Sequence, residues 1–340
     1  MDARPLPSGR IAPTPLALGT AALAGLYRPV DAERAAATVD AAWEVGIRAF
    51  DTAPHYGLGV AERRLGAALR HRPREEYTLS TKVGRLLRPL PPPHDDDLAN
   101  GFAVPADHER VWDFGAAGIR RSLEESLERL GLDRVDIALV HDPDDHVRQA
   151  LDEAMPELHR LRDEGVVAAI GVGMNSTRPL TRFVREADPD LVLCAGRWTL
   201  LDHSALADLL PAALDHGVGV LVGGVFNSGL LADPRPGATF DYAEASPRLV
   251  ERALRLREVC ERHGVPLRAA ALRFPFGHPA VVGVLTGGRS PAEVTEAAEA
   301  LATPLPSELW TELRAEGLLP EGVPVPGEPP VIPDRAGEGR

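Results

Sequence analysis

Short apolar runs alternate with longer amphipathic segments along most of the chain. The runs of strand length are residues 16–19, 48–52, 78–82, 135–141, 167–173, 191–195, 218–223 and 280–285. Several of them are apolar on both faces, which is typical of parallel strands that are covered by helices. The pattern therefore predicts eight buried strands.

Segments with helical periodicity separate these runs. They are residues 32–45, 60–69, 113–130, 147–164, 180–187, 205–216, 247–263 and 291–301. Strict alternation of strand and helix predicts an α/β fold, either a (β/α)8 barrel or a doubly wound sheet. Eight strands is the number that a barrel needs.

Two segments lie outside this alternation. Residues 85–107 are rich in Pro and Asp, and a loop of this length is either a functional lid or a disordered insertion. Residues 317–340 are rich in proline, which predicts an extended or disordered tail. A single α/β domain over residues 1–316 accommodates the rest, since barrels of about 250 residues or more are common.

The composition narrows the class of ligand. The chain has 37 Lys and Arg against 50 Asp and Glu, for a net charge of −13, which argues against nucleic acid as a partner. The two cysteines, Cys194 and Cys260, form neither a disulfide framework nor a zinc motif, so we expect buried thiols and no metal. The N-terminus lacks the basic start and apolar core of a signal peptide, and no apolar run is long enough to span a membrane. We expect a cytoplasmic protein, a monomer or weak homodimer, that acts on a small molecule.

Polar side chains follow three of the predicted strands. In DTAPHYG, residues 51–57, Asp51 ends a strand and Tyr56 lies in the loop that follows; Lys82 and His141 end two further strands. Each has an ordinary structural interpretation, as a loop cap, a half-buried aromatic, a solvated lysine or a core histidine. Strand ends of a barrel lie on one face, where barrel enzymes place their catalytic groups. Convergence of all four there favours catalysis.

The chain resembles the aldo-keto reductases in five motifs. These are FDTAPHYGLGVAERRLGAAL, LSTKVGR, RVDIALVHDPD, AAIGVGMN and SGLLA, and the resemblance extends to about residue 316. It implies a (β/α)8 barrel, a nicotinamide dinucleotide coenzyme and a catalytic tetrad, which here is Asp51, Tyr56, Lys82 and His141.

The chemistry of such a tetrad can be stated physically. When hydride leaves or reaches a carbon, the oxygen on that carbon must lose or gain a proton, and Tyr56 would exchange it. Lys82 would lower the phenol's pKa from its usual value near 10, and Asp51 would hold Lys82 charged. His141, as a neutral imidazole, would orient the reacting oxygen.

The coenzyme site is predicted chiefly from the resemblance. Two GxGxx segments, residues 57–62 and 171–176, lack the third glycine of a Rossmann motif, which argues against that fold. The Gly-rich turn at 287–289 begins a helix and suits phosphate. A single arginine without a neighbouring lysine favours NAD over NADP but leaves both open. The candidate coenzyme contacts are Gly19, Thr20, Asp51, Asn175, Gly223, Gly224, Gly287, Gly288, Arg289 and Glu293.

Within the family, STKVGRLL, GVGMN and AGRWTLLD resemble the aldose 1-dehydrogenases and their pyridoxal 4-dehydrogenase relatives. This implies oxidation of an aldose of the L-fucose or D-arabinose type at C1 to a lactone. The alternatives are a pyridoxal dehydrogenase, a general NADPH-dependent aldehyde or ketone reductase, and a regulatory barrel that binds nucleotide without turnover. The candidate substrate contacts are His55, Tyr56, His141, Arg197 and Trp198.

Overall fold

The fold is built on eight parallel strands that close into a barrel. The structure, a computed structural model, describes residues 1–92 and 95–328. Each barrel strand pairs with its neighbours in chain order, and the last pairs with the first. The strands, β1 to β8, are Leu16–Gly19, Ala49–Asp51, Thr78–Val83, Ile137–His141, Ala169–Met174, Leu191–Ala195, Gly219–Gly223 and Val281–Gly287. The predicted (β/α)8 barrel is confirmed, with every predicted strand within about two residues of its place.

Helices cover the outside of the barrel. The helices, α1 to α11, are Ala32–Glu44, Val60–Leu69, Ala116–Leu130, Val147–Gln149, Met155–Asp163, Thr177–Glu186, Leu209–Asp215, Pro247–Arg262, Leu267–Arg273, Pro291–Ala302 and Ser307–Ala315. A π-helical turn, Ala150–Ala154, joins α4 to α5, so the helix predicted over 147–164 is present in several geometries. Short 3-10 helices are Ala21–Ala24, Arg74–Glu76, Leu98–Asn100, Asp144–His146, Ser204–Leu206, Asn227–Gly229 and Phe274–Gly277. Helices α9 and α11 were not predicted from the sequence pattern.

The N-terminal segment closes the bottom of the barrel. Arg4 and Leu6 donate backbone hydrogen bonds to Pro13 and Ile11, which folds the segment back on itself. Leu6 is buried among the apolar side chains that fill the barrel interior. Because the floor is filled, the open end of the barrel is the mouth formed by the C-terminal ends of the strands.

Residues 85–92 and 95–112 form a hairpin over this mouth instead of an irregular loop. Arg85–Pro89 pairs antiparallel with His108–Trp112, and nearer the tip Asp96–Asp97 pairs with Phe102–Pro105. Residues 98–102, at the tip, line the large cavity at the mouth. Residues 93–94 of the predicted lid or insertion lie outside the described residues.

The described part of the predicted tail is packed against the barrel. Residues 317–328 contain no helix or strand, yet Leu318, Leu319, Val323 and Val325 are buried. Gly277 permits the close approach, since a Cβ there would lie 2.5 Å from the carbonyl oxygen of Pro324. Residues 329–340 lie outside the described residues. Within the described chain, every helix is too short or too polar to cross a bilayer.

Candidate active site

Three neighbouring strands deliver the predicted catalytic side chains to one place. Asp51 and His141 end β2 and β4, and Lys82 is the next-to-last residue of β3. Because these strands are parallel neighbours, their ends meet at the barrel mouth. Tyr56 reaches the same point from the turn after β2, where Gly57 has a φ of 57° and a Cβ would lie 2.7 Å from that of Ala24.

Lys82 lies between Asp51 and Tyr56 and contacts both. Its Nζ lies 2.5 Å from Oδ1 of Asp51, 3.0 Å from the Tyr56 hydroxyl and 3.1 Å from the carbonyl oxygen of Thr52. An ammonium has three hydrogens, so these acceptors engage all of its donors. Ser80 Oγ donates to the other oxygen of Asp51 at 2.7 Å. Lys82 is thereby held with one hydrogen directed at the phenol.

Burial and a neighbouring charge shift the pKa of Lys82, and likewise that of Tyr56, in opposite directions. Burial alone would lower the pKa of Lys82, but Asp51 and Tyr56 outweigh it and raise the pKa above its ordinary value. Burial raises the pKa of Tyr56 to about 12, although Lys82 acts in the opposite direction. The net shift for Tyr56 is opposite to the lowering predicted from Lys82, because the prediction left out burial. The phenol is protonated at neutral pH.

His141 faces Tyr56 as a neutral imidazole. The two rings meet edge-on with their centroids 5.8 Å apart. Burial, reinforced by the positive charges of Arg85 and Lys82, lowers the pKa of His141 well below its usual value. Its Nε2 lies 3.5 Å from Oδ2 of Asp142. A neutral ring in this position can donate one hydrogen bond to an oxygen held beside Tyr56.

Three charged residues at the site were not among the predicted site residues: Arg85, Arg110 and Asp142. Arg85 pairs with Asp142 at 2.7 Å, and Arg110 Nε lies 2.6 Å from Nδ1 of His55. Burial, together with the charge of Arg110, lowers the pKa of His55 to about 3. Asp142 directly follows His141 in the sequence, so its place at the site could have been predicted from that of His141. Nothing in the sequence around Arg110 places it beside His55.

The tetrad opens into a cavity of about 590 Å³. A second cavity of about 420 Å³ adjoins it and extends to α10. The residues that line both cavities are Leu26, Tyr27, Gly224, Tyr242 and Leu285. Together the two cavities form a trough that runs from Tyr56 across the barrel mouth to α10.

The candidate coenzyme contacts fall into two groups. Those that line the trough are Asn175, Gly223, Gly224, Gly287, Arg289 and Glu293. Those that are buried beneath the mouth and do not line it are Gly19, Thr20, Asp51 and Gly288. Thr20 donates its hydroxyl hydrogen bond to the carbonyl oxygen of Asp51 at 3.0 Å, so it supports the strand end.

The trough fits an elongated dinucleotide with phosphates. Gly224 has a φ of 63°, and a Cβ there would lie 3.0 Å from the amide nitrogen of Gly196. Glycine is therefore favoured at this position, and no side chain covers the backbone there. Ser290 caps α10, whose N-terminus favours anions. Arg289 lines the second cavity, and its buried Nε has no partner among the described residues. Arg289 and the start of α10 would hold phosphate, and Asn175 a carboxamide.

The candidate substrate contacts are also divided. His55, Tyr56 and His141 line the large cavity. Arg197 does not line it, but donates to the carbonyl oxygen of Asn175 at 2.9 Å and pairs with Asp241 at 2.7 Å. Arg197 therefore holds the backbone of Asn175, a residue of the cavity wall, without facing the cavity itself.

Trp198 is placed away from the cavity. It is fully buried, donates through Nε1 to the carbonyl oxygen of Pro275 at 3.0 Å and packs on Phe274. The chain turns at Gly196, which has a φ of 72°, and this turn sends the indole into the core.

Cys194 and Cys260 are both buried free thiols, as predicted. Across the described ranges, no group of three or more His, Cys, Asp or Glu side chains is arranged to hold a metal ion.

Comparison with known proteins identifies related sequences. Residues 15–316 match the profile of the Aldo/keto reductase family. The chain is 47% identical over 310 residues to a D-threo-aldose 1-dehydrogenase from a Pseudomonas species, covering 90% of this chain and 94% of the relative. It is 40% identical over 328 residues to a pyridoxal 4-dehydrogenase from Microbacterium luteolum, covering 90% and 94%.

A solved structure shares the architecture. A glycerol dehydrogenase from Gluconobacter oxydans superposes with a TM-score of 0.76 at 26% identity, covering 97% of this chain and 99% of that one. The likeness therefore includes the whole barrel and its connections.

Proposed function

The chain belongs to the aldo/keto reductase family, and from this premise we propose that it oxidises an aldose of the L-fucose or D-arabinose type at C1 to the lactone. Membership makes it an oxidoreductase that acts on CH–OH or C=O groups with a nicotinamide dinucleotide. The observation that carries the substrate proposal is the 47% identity to a D-threo-aldose 1-dehydrogenase.

The tetrad supplies the proton chemistry for this reaction. A site for the hydride that leaves C1 would be supplied by the nicotinamide of a coenzyme bound in the trough. The oxygen on C1 must lose its proton in the same event, and Tyr56 is the group placed to take it. Lys82, fixed by Asp51, stabilises negative charge on the phenol oxygen. His141 donates a hydrogen bond to the C1 oxygen and holds it toward Tyr56.

We propose NAD as the preferred coenzyme. Two glutamates, Glu293 and Glu296, line the second cavity together with Arg268 and Arg289. Glu296 pairs with Arg268 at 2.7 Å, and Glu293 accepts the backbone N–H of Arg289 at 2.9 Å. Carboxylates accept hydrogen bonds from ribose hydroxyls and repel the 2′-phosphate of NADP, which supports NAD.

Oxidation of pyridoxal is the second candidate, because the identity to the pyridoxal 4-dehydrogenase is 40%. A general reductase would instead prefer NADPH and turn over many carbonyl compounds. The complete tetrad argues against a regulatory barrel, since nucleotide binding alone does not need a buried Lys–Tyr pair.

The test is reduction of NAD+ and NADP+ with L-fucose, D-arabinose, L-galactose, D-glucose and pyridoxal. We expect turnover of one sugar class, and a loss of roughly 10²- to 10⁴-fold in Tyr56→Phe, the usual contribution of a proton-transfer group. Tyr77→Phe is the matched control, because Tyr77 is buried against Trp43 and Phe50, away from the cavity.

Each contrary result identifies an alternative. Turnover of pyridoxal alone would replace the sugar proposal with the second candidate. Broad carbonyl reduction with NADPH would indicate a general reductase. Coenzyme binding with no turnover in either direction would indicate the regulatory barrel.

A further inference from the structure

A buried ion pair lies within the hairpin, beside the active site. Arg110 lies on the returning strand of the hairpin and Asp97 near its tip, and their side chains are 6% and 4% exposed. Two parallel contacts join them, Nη1 to Oδ1 at 2.9 Å and Nη2 to Oδ2 at 2.5 Å. The pair therefore has the bidentate geometry that fixes a guanidinium in orientation.

Two further N–H groups of Arg110 reach His55. Nε lies 2.6 Å from Nδ1 of the His55 ring, and Nη2 donates to the His55 carbonyl oxygen at 3.0 Å. A guanidinium has hydrogens to donate and no lone pair to accept with. Nδ1 must therefore be the acceptor, and the proton of the neutral ring must lie on Nε2.

His55 presents this ring to the substrate cavity. It lines the cavity together with Tyr56 and His141, whose ring centroids lie 6.1 Å and 5.7 Å from its own. Among the described residues, Nε2 has no hydrogen-bond partner, and it is not enclosed by protein. Because the pKa of His55 is lowered to about 3, the ring is neutral at every pH near neutrality.

We propose that His55 is a fixed hydrogen-bond donor to a substrate hydroxyl, and that Arg110 and Asp97 of the hairpin are positioning residues that hold it in the donating tautomer. The inference rests on the proposed function. Tyr56 and His141 hold the oxygen on the reacting carbon, and the His55 ring is adjacent to both. In an aldose, the hydroxyl nearest that oxygen is on C2. The hairpin thus makes the enzyme select substrates with a hydroxyl beside the reacting carbon.

The tautomer is tested first, by ¹⁵N NMR of histidine-labelled protein, with His55→Gln used for assignment. We expect His55 to show the Nε2–H form alone and not to titrate down to about pH 4. Arg110→Met should populate both tautomers and raise the His55 pKa toward its ordinary value. Arg88→Met is the control, because Arg88 forms an exposed pair with Glu109 in the same hairpin. An Nδ1–H form in the unmodified protein would overturn the proposal.

Selectivity is tested with an aldose and its 2-deoxy analogue. We expect His55→Phe, which keeps an aromatic ring beside Phe102, to lower kcat/KM for the aldose about tenfold, the contribution of one neutral hydrogen bond, and to leave the analogue within about twofold. His55→Gln, with an amide N–H in place of Nε2–H, should restore most of the difference. Arg110→Met should show the same substrate-selective loss.

The two possible failures are distinguishable. Equal losses for both substrates, with an active unmodified enzyme, would overturn the donor role of His55 and leave the proposed function standing. If the unmodified enzyme oxidises no aldose, the proposed function fails and the C2-hydroxyl role fails with it, while the NMR result still decides whether Arg110 sets the tautomer.

Discussion

The acidity of Tyr56 is the outcome of two opposing influences on one hydroxyl. Lys82 lies 3.0 Å away and favours the phenolate, while burial among the rings of the site disfavours it. Burial has the larger effect. The free enzyme therefore holds a protonated phenol, which is ready to act as an acid in carbonyl reduction and must lose its proton before it can act as a base in oxidation.

This asymmetry predicts a pH dependence. With a Tyr56 pKa of about 12, the free enzyme contains little phenolate below pH 10. We expect kcat/KM for oxidation, which reports groups in the free enzyme, to rise about tenfold per pH unit between about pH 7 and pH 10. An ultraviolet difference titration of the unmodified protein against Tyr56→Phe measures the phenol directly. Phenolate absorbance from Tyr56 at pH 9 would contradict a dominant effect of burial.

At this scale, the sequence predicts residues that follow directly from a strand end. Asp51, Lys82 and His141 were found because the ends of parallel strands must meet. Arg110 was not found, because its contact with His55 depends on the pairing register of a hairpin. Trp198 was predicted at the cavity from the motif AGRWTLLD and its resemblance to the aldose dehydrogenases, and the turn at Gly196 directs it elsewhere.

At the scale of whole elements, the reliably predicted ones are those with a strong periodic signal. Several barrel strands are apolar on both faces, and all eight could be placed from the sequence alone. The hairpin strands Arg85–Pro89 and His108–Trp112 mix charged and apolar residues, and their pairing joins segments far apart in the chain. The described tail, residues 317–328, is held by tertiary packing on Gly277, which leaves no local pattern.

Helix α10 is the element that should set coenzyme preference. Glu293 and Glu296 lie on the face of this helix that lines the second cavity. Changing both to glutamine removes two negative charges and leaves Arg268 and Arg289 to attract a 2′-phosphate. We expect the ratio of kcat/KM for NAD+ over NADP+ to fall by about tenfold or more, as about 1.4 kcal/mol of repulsion is removed.

Glu299→Gln is the matched control for this change, since Glu299 is an exposed residue of the same helix that does not line the cavity. The ratio should be unchanged in that variant. An unchanged ratio in the double variant would mean that α10 does not distinguish the 2′-hydroxyl of NAD+ from the 2′-phosphate of NADP+.

At the scale of the whole molecule, the fold holds several histidines neutral inside the barrel and its covering layer. Burial lowers the pKa of His203 and of His278 to about 4, and that of His55 to about 3; the pKa of His141 is also far below normal. His203 and His278 both pack edge-on against the buried Trp198 ring, with centroids 6.1 Å and 6.3 Å away. Their protonation is therefore coupled to the packing of the core.

These lowered values predict a loss of stability in mild acid. The unfolded chain takes up protons on these histidines below about pH 6.5, and the folded chain does not until about pH 4, so the free energy of unfolding must fall as pH drops through this window. Each histidine contributes up to about 1.4 kcal/mol per pH unit. Denaturant unfolding between pH 7 and pH 5 measures the slope. His203→Phe should make it shallower, whereas His71→Gln, at an exposed position, should not; equal slopes in the unmodified protein and His203→Phe would exclude His203 as a source of the acid sensitivity.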